Sequence, residues 1–585
     1  MTYLFNQPSA FASELIEGFV AANADKVRQV SGGVVRSTRS KPGSVALVIG
    51  GGSGHYPAFS GLVGQGMAHG AAMGNLFASP SAQQIYNVAR AAENGGGVLL
   101  AFGNYAGDVL HFGQACERLK AEGIACELLA VTDDISSATL DEREKRRGVA
   151  GDLAVFKAAA AAAEAGYSLA EVARLARHAN HRTRSLGVAF SGCTLPGAQQ
   201  PLFEVAHGTM ALGMGIHGEP GIDECAIPAA DTLAELFVSH LMKERPEEMS
   251  VRSDQRVAVI LNGLGSVKYE ELFVVYRRVA QLLAAEGLQV VEPEVGEFVT
   301  SFNMAGASLT LMWLDDELET FWRAPANAPA FRKGSVIIAE PLSDIEQLLP
   351  EIDTVPAASK VSQQAASCVL SMIEAIAEVI EINANELGRI DAVAGDGDHG
   401  IGMERGSLGA LEKAREMLQR QAGAGTLLCR AADAWADKAG GTSGALWGVA
   451  LTAIGTAIGD QQRPNAQRVA LGVQHAKEGI MHFGKAKPGD KTLVDVLVPF
   501  SDCLTSRVNA GDSLADAWAA AAKQASRSAE ETAGLLPKMG RARPLAEKSL
   551  GTPDAGAVSL ALIVNKVLAQ LQAGTPVQQL QEVSE

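Results

Sequence analysis

Three times before residue 135 the chain runs through an apolar, β-rich stretch and then breaks off. Ser44-Val-Ala-Leu-Val-Ile gives way to Gly50-Gly-Gly-Ser-Gly-His55. Gly97-Val-Leu-Leu-Ala-Phe gives way to Gly103-Asn-Tyr-Ala-Gly-Asp108, and Cys126-Glu-Leu-Leu-Ala-Val to Thr132-Asp-Asp134. Apolar runs without polar alternation are what a strand buried on both faces requires. Helical stretches lie between and after them, at 81–93, 111–122 and 150–180, and residues 9–30 read as an N-terminal helix. Such alternation predicts an α/β domain with a mainly parallel sheet. Ligands of such sheets sit beyond the carboxyl ends of the strands, which puts His55 and Asp108 near one mouth.

A second α/β stretch follows from about 185. It contains Ser185-Leu-Gly-Val-Ala-Phe, Gly213-Met-Gly-Ile-His217-Gly-Glu-Pro-Gly221, Arg256-Val-Ala-Val-Ile-Leu and a helix at 269–286. Two more apolar runs fall near 289–314, and Val336-Ile-Ile-Ala339 closes the half. The predicted boundaries are an α/β domain over 1–340, with subdomains of about 1–184 and 185–340, and a proline-containing linker over 341–361. Beyond it β-rich runs nearly vanish. Ala366, Val369, Leu370, Ile373, Ala377 and Ile380 share one helical face. Similar periods at 403–420, 427–438, 444–459, 465–482, 491–506, 513–533 and 555–572 predict an all-helical domain over 362–585, with about eight helices.

Composition excludes some classes. A net charge of −17 argues against a nucleic-acid partner, because phosphate backbones need a basic surface. The seven cysteines form no CxxC pair and read as reduced thiols of a cytoplasmic protein. No signal peptide is read at MTYLFNQPSAF. The alanine stretch around 154–165 carries Lys157 and Glu164 and reads as a soluble helix, so no membrane partner is expected.

The turn Asp391-Ala-Val-Ala-Gly-Asp396-Gly-Asp398 brings three carboxylates together between two helical patterns. Close-set acids repel unless a proton or cation intervenes, and hard oxygen ligands suit Mg²⁺ or Ca²⁺. A solvated acidic turn is the alternative. Gly440-Gly-Thr-Ser-Gly-Ala-Leu446 precedes a helix, with Thr442 or Ser443 as N-cap, and free N–H groups there suit phosphate. Gly484-Lys-Ala-Lys-Pro-Gly-Asp-Lys-Thr492 and Ser549-Leu-Gly-Thr-Pro-Asp-Ala-Gly556 are loops of the same kind. The glycines at 50–54 fit neither a Walker A loop nor GxGxxG; they are a tight turn or a place of close backbone approach to a small ligand. His217, flanked by small residues, is either a histidine satisfied in its loop or an accessible base or nucleophile.

Taken together these stretches resemble the ATP-dependent dihydroxyacetone kinases, in which a K domain and an L domain are fused. The resemblance rests on 50–55, Asn-Tyr-x-Gly-Asp at 104–108, 213–221, Thr-Ser-Phe-Asn-Met-Ala-Gly-Ala-Ser-Leu-Thr at 300–310, 391–398, 440–445, Pro-Gly-Asp-Lys-Thr at 488–492 and Pro-Asp-Ala-Gly-Ala at 553–557. It implies that His217 holds a short-chain ketose as a covalent hemiaminal, and that Ser53, Gly54, His55, Tyr56 and Asp108 line the substrate. Asp108 is then the base for the attacking hydroxyl, with help from His55. It implies two Mg²⁺ on Asp391, Asp396 and Asp398. ATP contacts are implied from His399, Gly400, Ile401 and Gly402, from Thr442 and Ser443, from Gly484, Thr492 and Leu493, and from Pro553, Asp554 and Ala555. A homodimer is expected as in the family.

The chain also departs from the family pattern. Tyr56 and Phe59 stand where typical members have Glu and His, Gly103 and Ala106 where they have Lys and Thr, and Gly540-Arg-Ala-Arg-Pro-Leu where they have Gly-Arg-Ala-Ser-Tyr. These changes leave the ketose open among dihydroxyacetone, erythrulose and apulose. A ketose-binding regulator and an FAD-AMP lyase are the competing readings.

Overall fold

In a computed structural model of the chain, residues 4–249, 255–340, 354–395, 397–539 and 547–579 are described. Contacts divide the chain into Met1–Pro350 and Glu351–Glu585. In the first unit, β1 (Val27–Val30), β2 (Gly33–Arg36), β3 (Ala46–Ser53), β4 (Gly70–Leu76), β5 (Val98–Gly103) and β6 (Cys126–Val131) form one sheet in the order β1-β2-β4-β3-β5-β6. Its four later strands are parallel, and β2 and β1 add an antiparallel edge. Every residue of β3 and β5 is buried. Because successive side chains alternate faces, Ala46 and Val48 pack with α2 (Ala82–Ala92) and α3 (Ala106–Ala121). Leu47 and Ile49 pack on the other face with α4 (Gly151–Glu164) and α5 (Leu169–His181).

The second sheet contains β7 (Thr183–Ala189), β8 (Thr209–Leu212), β9 (Asp223–Ala226), β10 (Arg256–Gly263), β11 (Gln289–Val290), β12 (Glu294–Gly296) and β13 (Gly306–Leu314), in the order β11-β10-β13-β7-β8-β9 with β12 beside β10. Its long central pairings, β10 with β13 and β13 with β7, are antiparallel. Helices α6 (Ala230–Lys243) and α7 (Tyr269–Ala285) cover one face. The other face shares its core with α4, so that this alanine-rich helix lies between two sheets. Small side chains allow both sheets to approach it. Lys157 of α4 is fully buried, and its Nζ donates to the Phe321 carbonyl at 2.8 Å. Phe321 belongs to α8 (Asp316–Arg323).

Three sequence expectations need correction here. The N-terminal helix is α1 (Phe11–Ala22) and stops well before residue 30. A turn at Asn23, which accepts from Lys26, releases the β-branched Val27–Val30 into the sheet. The stretch 150–180 is two helices, broken at Gly166, whose φ is +85°. Val336-Ile-Ile-Ala339 is not a strand, and Ile337 is 93% exposed. Most of the expected linker, 341–353, lies outside the described residues.

The second unit is all helical: α9 (Lys360–Asp391), α10 (His399–Gln419), α11 (Ala424–Ala439), α12 (Gly441–Ile458), α13 (Ala466–Gly484), α14 (Val494–Asn509), α15 (Leu514–Glu531) and α16 (Ala555–Gln579). Each helix packs on the next, and α16 packs back on α9, which closes the ring. Among the described residues the unit therefore has the eight helices expected from the periodicity. Stacked Trp435 and Trp447, with centroids 5.2 Å apart, join α11 to α12. By length and composition alone, α12 and α16 could cross a membrane, but both are packed between neighbours in this ring.

Candidate functional sites, one in each unit

In the α/β unit, Gly54 follows the end of β3 and turns the chain so that His55 meets loops of the second sheet. Gly54 takes φ +102°, a conformation that favours glycine. Thr300, in the loop between β12 and β13, accepts from His55 Nδ1 through its carbonyl at 2.7 Å. His217 comes from the loop between β8 and β9, and its Nε2 is 3.0 Å from His55 Nε2. The two rings meet edge to face with centroids 4.7 Å apart. Phe77 stacks on His55, and the Tyr105 ring meets His217 edge-on at 4.6 Å. Burial, followed by the charge of His217, lowers His55 to about 3. An imidazole held neutral in this way can accept a proton but seldom keeps one.

Asp108 sits in the first turn of α3, just beyond β5, and is buried. Burial pushes it up to about 7, against a hydrogen bond from Ser79. Its Oδ1 has no hydrogen-bond partner. Asp152 of α4 lies behind it and is raised well above the usual range by burial and by the charges of Asp133 and Asp108. A Cβ at Gly103 would lie 3.3 Å from Asp152 Oδ2. The site thus carries one carboxyl poised near neutrality and one that stays protonated beside it. Because the folded-state value of Asp108 is raised from 3.8, ionising it costs stability as pH rises through about 4 to 7. Asp108→Asn is expected to stabilise the protein by on the order of 4 kcal/mol at pH 8. The gain should shrink towards pH 4, as read by chemical denaturation at several pH values.

Ser53, Gly54, His55 and Tyr56 line a cavity of about 190 Å³, together with Ser60 and Met73, whereas His217 and Asp108 are not in its lining. Ser53 Oγ donates to the Gly74 carbonyl at 2.7 Å. The Ser60 hydroxyl is buried without a hydrogen-bond partner. Tyr56 is partly exposed against Phe19, while Phe59 packs over Gly51 with φ +67°. Glu219, Thr300, Tyr105 and Asp152 were not singled out from sequence. For Glu219 a signal existed, since an acid two residues from a loop histidine can fold back onto it.

In the helical unit, the candidate residues gather at one rim. Contacts tie the start of α10 to those of α12 and α16, the start of α14 to that of α16, and the end of α13 to the start of α12. Asp391 ends α9, and its Oδ2 accepts from the Gly397 N–H at 2.9 Å and more weakly from His399 N–H at 3.4 Å. Asp398 is the N-cap residue of α10. Crowding of its carboxyl by protein atoms and the Asp391 charge raise Asp398 to about 6. His399 Nε2 is 3.1 Å from Ser559 Oγ, which ties α10 to α16. Gly400 is buried, while Ile401 is exposed. A Cβ at Gly400 would collide with the backbone of Ala384, whereas Gly402 faces open space. Asp396 lies outside the described residues.

Thr442 and Ser443 are not N-caps. Gly440, with φ +61°, is the N-cap of α12, and these two residues sit inside its first turn. Two left-handed glycines at 440 and 441 start the helix early, and this aims its first N–H groups at the rim. Ser443 Oγ lies 3.8 Å from Met403 Sδ on α10. Gly484 ends α13 close to Leu446, and Leu493 packs near Gly556. The Thr492 N–H donates to Asp495 at 2.8 Å. Asp554, after Pro553 and before Ala555 at the start of α16, accepts from the Ala557 N–H at 2.7 Å. Burial raises Asp554 to about 7, opposed by that bond, and the charges of Asp391 and Asp495 raise it further.

Four positive helix ends at one rim suit an anion such as a polyphosphate. Close-set carboxylates, of which Asp398 is raised by burial and by the Asp391 charge, suit a hard divalent cation. Among the described residues, Asp391 and Asp398 are the pair that fits it.

Comparison with known proteins accounts for both units. The Dak1 domain family matches residues 17–330, and the DAK2 domain family matches residues 393–569. The chain is 71% identical to L-erythrulose kinase of Pectobacterium atrosepticum over 98% of this chain and 97% of that one. It is 52% identical to D-erythrulose kinase of Mycolicibacterium smegmatis over 97% and 98% of the two chains. Its fold matches the crystal structure of the dihydroxyacetone kinase from C. freundii in complex with AMP-PNP and Mg²⁺, with 29% identity, a TM-score of 0.52, and coverage of 97% of this chain and 99% of that one.

Proposed function

This chain belongs to the dihydroxyacetone kinase family, and from that premise we propose that it is an ATP-dependent kinase of four-carbon ketoses of the erythrulose type. The similarity to erythrulose kinases of two genera supports the substrate class. The observation that carries the acceptor side is the imidazole pair, a buried His55 against a partly exposed His217. His217 Nε2 is the nucleophile that holds the ketone carbon as a hemiaminal, His55 handles protons beside it, and Asp108 accepts the proton of the hydroxyl that attacks phosphorus. Because the carboxylate form is required, turnover falls as pH drops below about 7.

The helical rim is the donor side. Asp391 and Asp398, with Asp396, would hold two Mg²⁺ ions, and bound magnesium supplies charge neutralisation for the phosphates. Thr442, Ser443 and the first turns of α10, α14 and α16 orient the ATP phosphates through backbone N–H groups. Transfer requires the two sites to meet, within one chain or between two copies of a homodimer.

The cavity beside His55 favours a substrate longer than three carbons. Its unpartnered Ser60 hydroxyl offers a hydrogen bond to an additional substrate hydroxyl. The test is kcat/KM on dihydroxyacetone, both erythrulose enantiomers and a branched five-carbon ketose, with ATP and Mg²⁺. An erythrulose is expected to exceed dihydroxyacetone by about tenfold, the worth of one well-made hydrogen bond. Equal values for all four would contradict the proposed substrate class.

A further inference from the structure

We propose that Glu219 is a positioning residue for ketone capture, acting as the fixed counter-charge that keeps one proton on the His217–His55 pair. The inference rests on the reading of His217 as the capturing nucleophile. The hydrogen-bond pattern supports it. Thr300 presents a carbonyl to His55 Nδ1 at 2.7 Å, and a carbonyl only accepts, so His55 carries its proton on Nδ1. Glu219 Oε1 lies 3.1 Å from His217 Nδ1, and an ionised carboxylate also only accepts, so His217 carries a proton on Nδ1 as well. Two neutral rings so fixed would point Nε2 lone pairs at each other across 3.0 Å. One additional proton turns that repulsion into an Nε2–H···Nε2 hydrogen bond. The pair then carries a single positive charge, with Glu219 opposite it.

The turn around His217 is built for this carboxylate. Glu219 Oε2 accepts from the His217 backbone N–H at 3.0 Å. The Gly215 N–H donates to the Glu219 carbonyl at 3.0 Å, and a side chain at Gly215 would overlap the carboxylate. Arg147 Nη1 lies 3.8 Å from Oε2, while its Nε donates to Asp134 at 2.9 Å and its Nη2 to the Gly213 carbonyl at 3.0 Å. Besides His55, the groups facing this centre are therefore Arg147, Asp134 and Tyr105, and burial keeps the Tyr105 phenol protonated.

The capture step balances. The shared proton moves to His55 Nε2, which exposes the His217 Nε2 lone pair. That pair forms the bond to the ketone carbon, and the C=O π electrons move to oxygen. The oxygen takes the proton from His55 Nε2. His55 ends neutral, and the positive charge ends on the alkylated His217 ring, still held at Nδ1–H by Glu219. The reverse sequence releases the ketose.

The test uses the full chain and erythrulose labelled with ¹³C at the carbonyl carbon, without ATP. NMR follows conversion of the ketone carbon to a tetrahedral one across pH. Capture by the wild type should weaken as pH rises and the shared proton is lost. In Glu219→Gln capture should weaken about 10²-fold, the range for a positioned acid–base partner, and the alkaline decline should move to lower pH. In Arg147→Gln, where Glu219 is less neutralised, that decline should move to higher pH. Opposite displacements support the inference, and either variant alone suffices if the other does not fold. An E219Q or R147Q protein that keeps the wild-type decline overturns it. Absence of any tetrahedral carbon in the wild type would instead refute the covalent reading of His217.

Discussion

His217→Ala is expected to abolish ketose capture and to lower kcat/KM for the ketose roughly 10³-fold or more, the scale of losing a covalent nucleophile. ATP·Mg²⁺ affinity should be unchanged, because the donor residues lie in a different unit of the chain. The reason is local. His217 Nε2 is the ring nitrogen left for substrate, since Nδ1 is engaged by Glu219. Nothing nearby can substitute, since burial has made His55 a weak base and Thr300 holds its Nδ1. The assays are ketone ¹³C NMR for capture, a coupled ADP assay for turnover and calorimetric titration for ATP. A variant that still captures ketose would remove His217 from the acceptor site.

Asp391→Asn is expected to give the mirror result, with capture intact and turnover lost by about 10² to 10³-fold at fixed Mg²⁺, as for loss of a charged ligand that positions phosphate. One oxygen of Asp391 already shapes the turn by accepting from Gly397 and His399. An asparagine can keep those bonds through its amide oxygen, so the change removes mainly charge. The loss should therefore be partly recovered at high Mg²⁺, which a merely collapsed turn would not allow. Activity measured against Mg²⁺ concentration separates the two.

In the first sheet β3 and β5 were legible because they are buried on both faces, and such strands must be written in continuous apolar residues, whereas the short β2 and the glycine- and alanine-rich β4 carry no such run. The ring of helices was legible for the complementary reason, since each helix buries a single stripe. What sequence left open depends on tertiary partners. The run 9–30 keeps helical composition past Ala22, and only pairing with β2 draws Val27–Val30 into the sheet. Thr442 and Ser443 read as N-caps, yet two left-handed glycines start the helix before them. Lys157 looked like a solvent marker on α4 and is instead fully buried between two sheets, bonded to the Phe321 carbonyl. In the site, His55 and His217 stood out through the glycines around them. Their Nε2–Nε2 contact joins residues 162 apart, which no local pattern encodes. The same holds for the Asp108–Asp152 pair, in which an acid in the first turn of α3 raises one in the first turn of α4.

The most direct test of the account is ³¹P NMR of the wild-type protein with ATP, Mg²⁺ and erythrulose. The expected result is one equivalent of a sugar phosphate monoester for each ADP formed, with no inorganic phosphate beyond the background of ATP alone. ATP left intact in the presence of every ketose tested, or ADP formed with inorganic phosphate in place of the monoester, would contradict it.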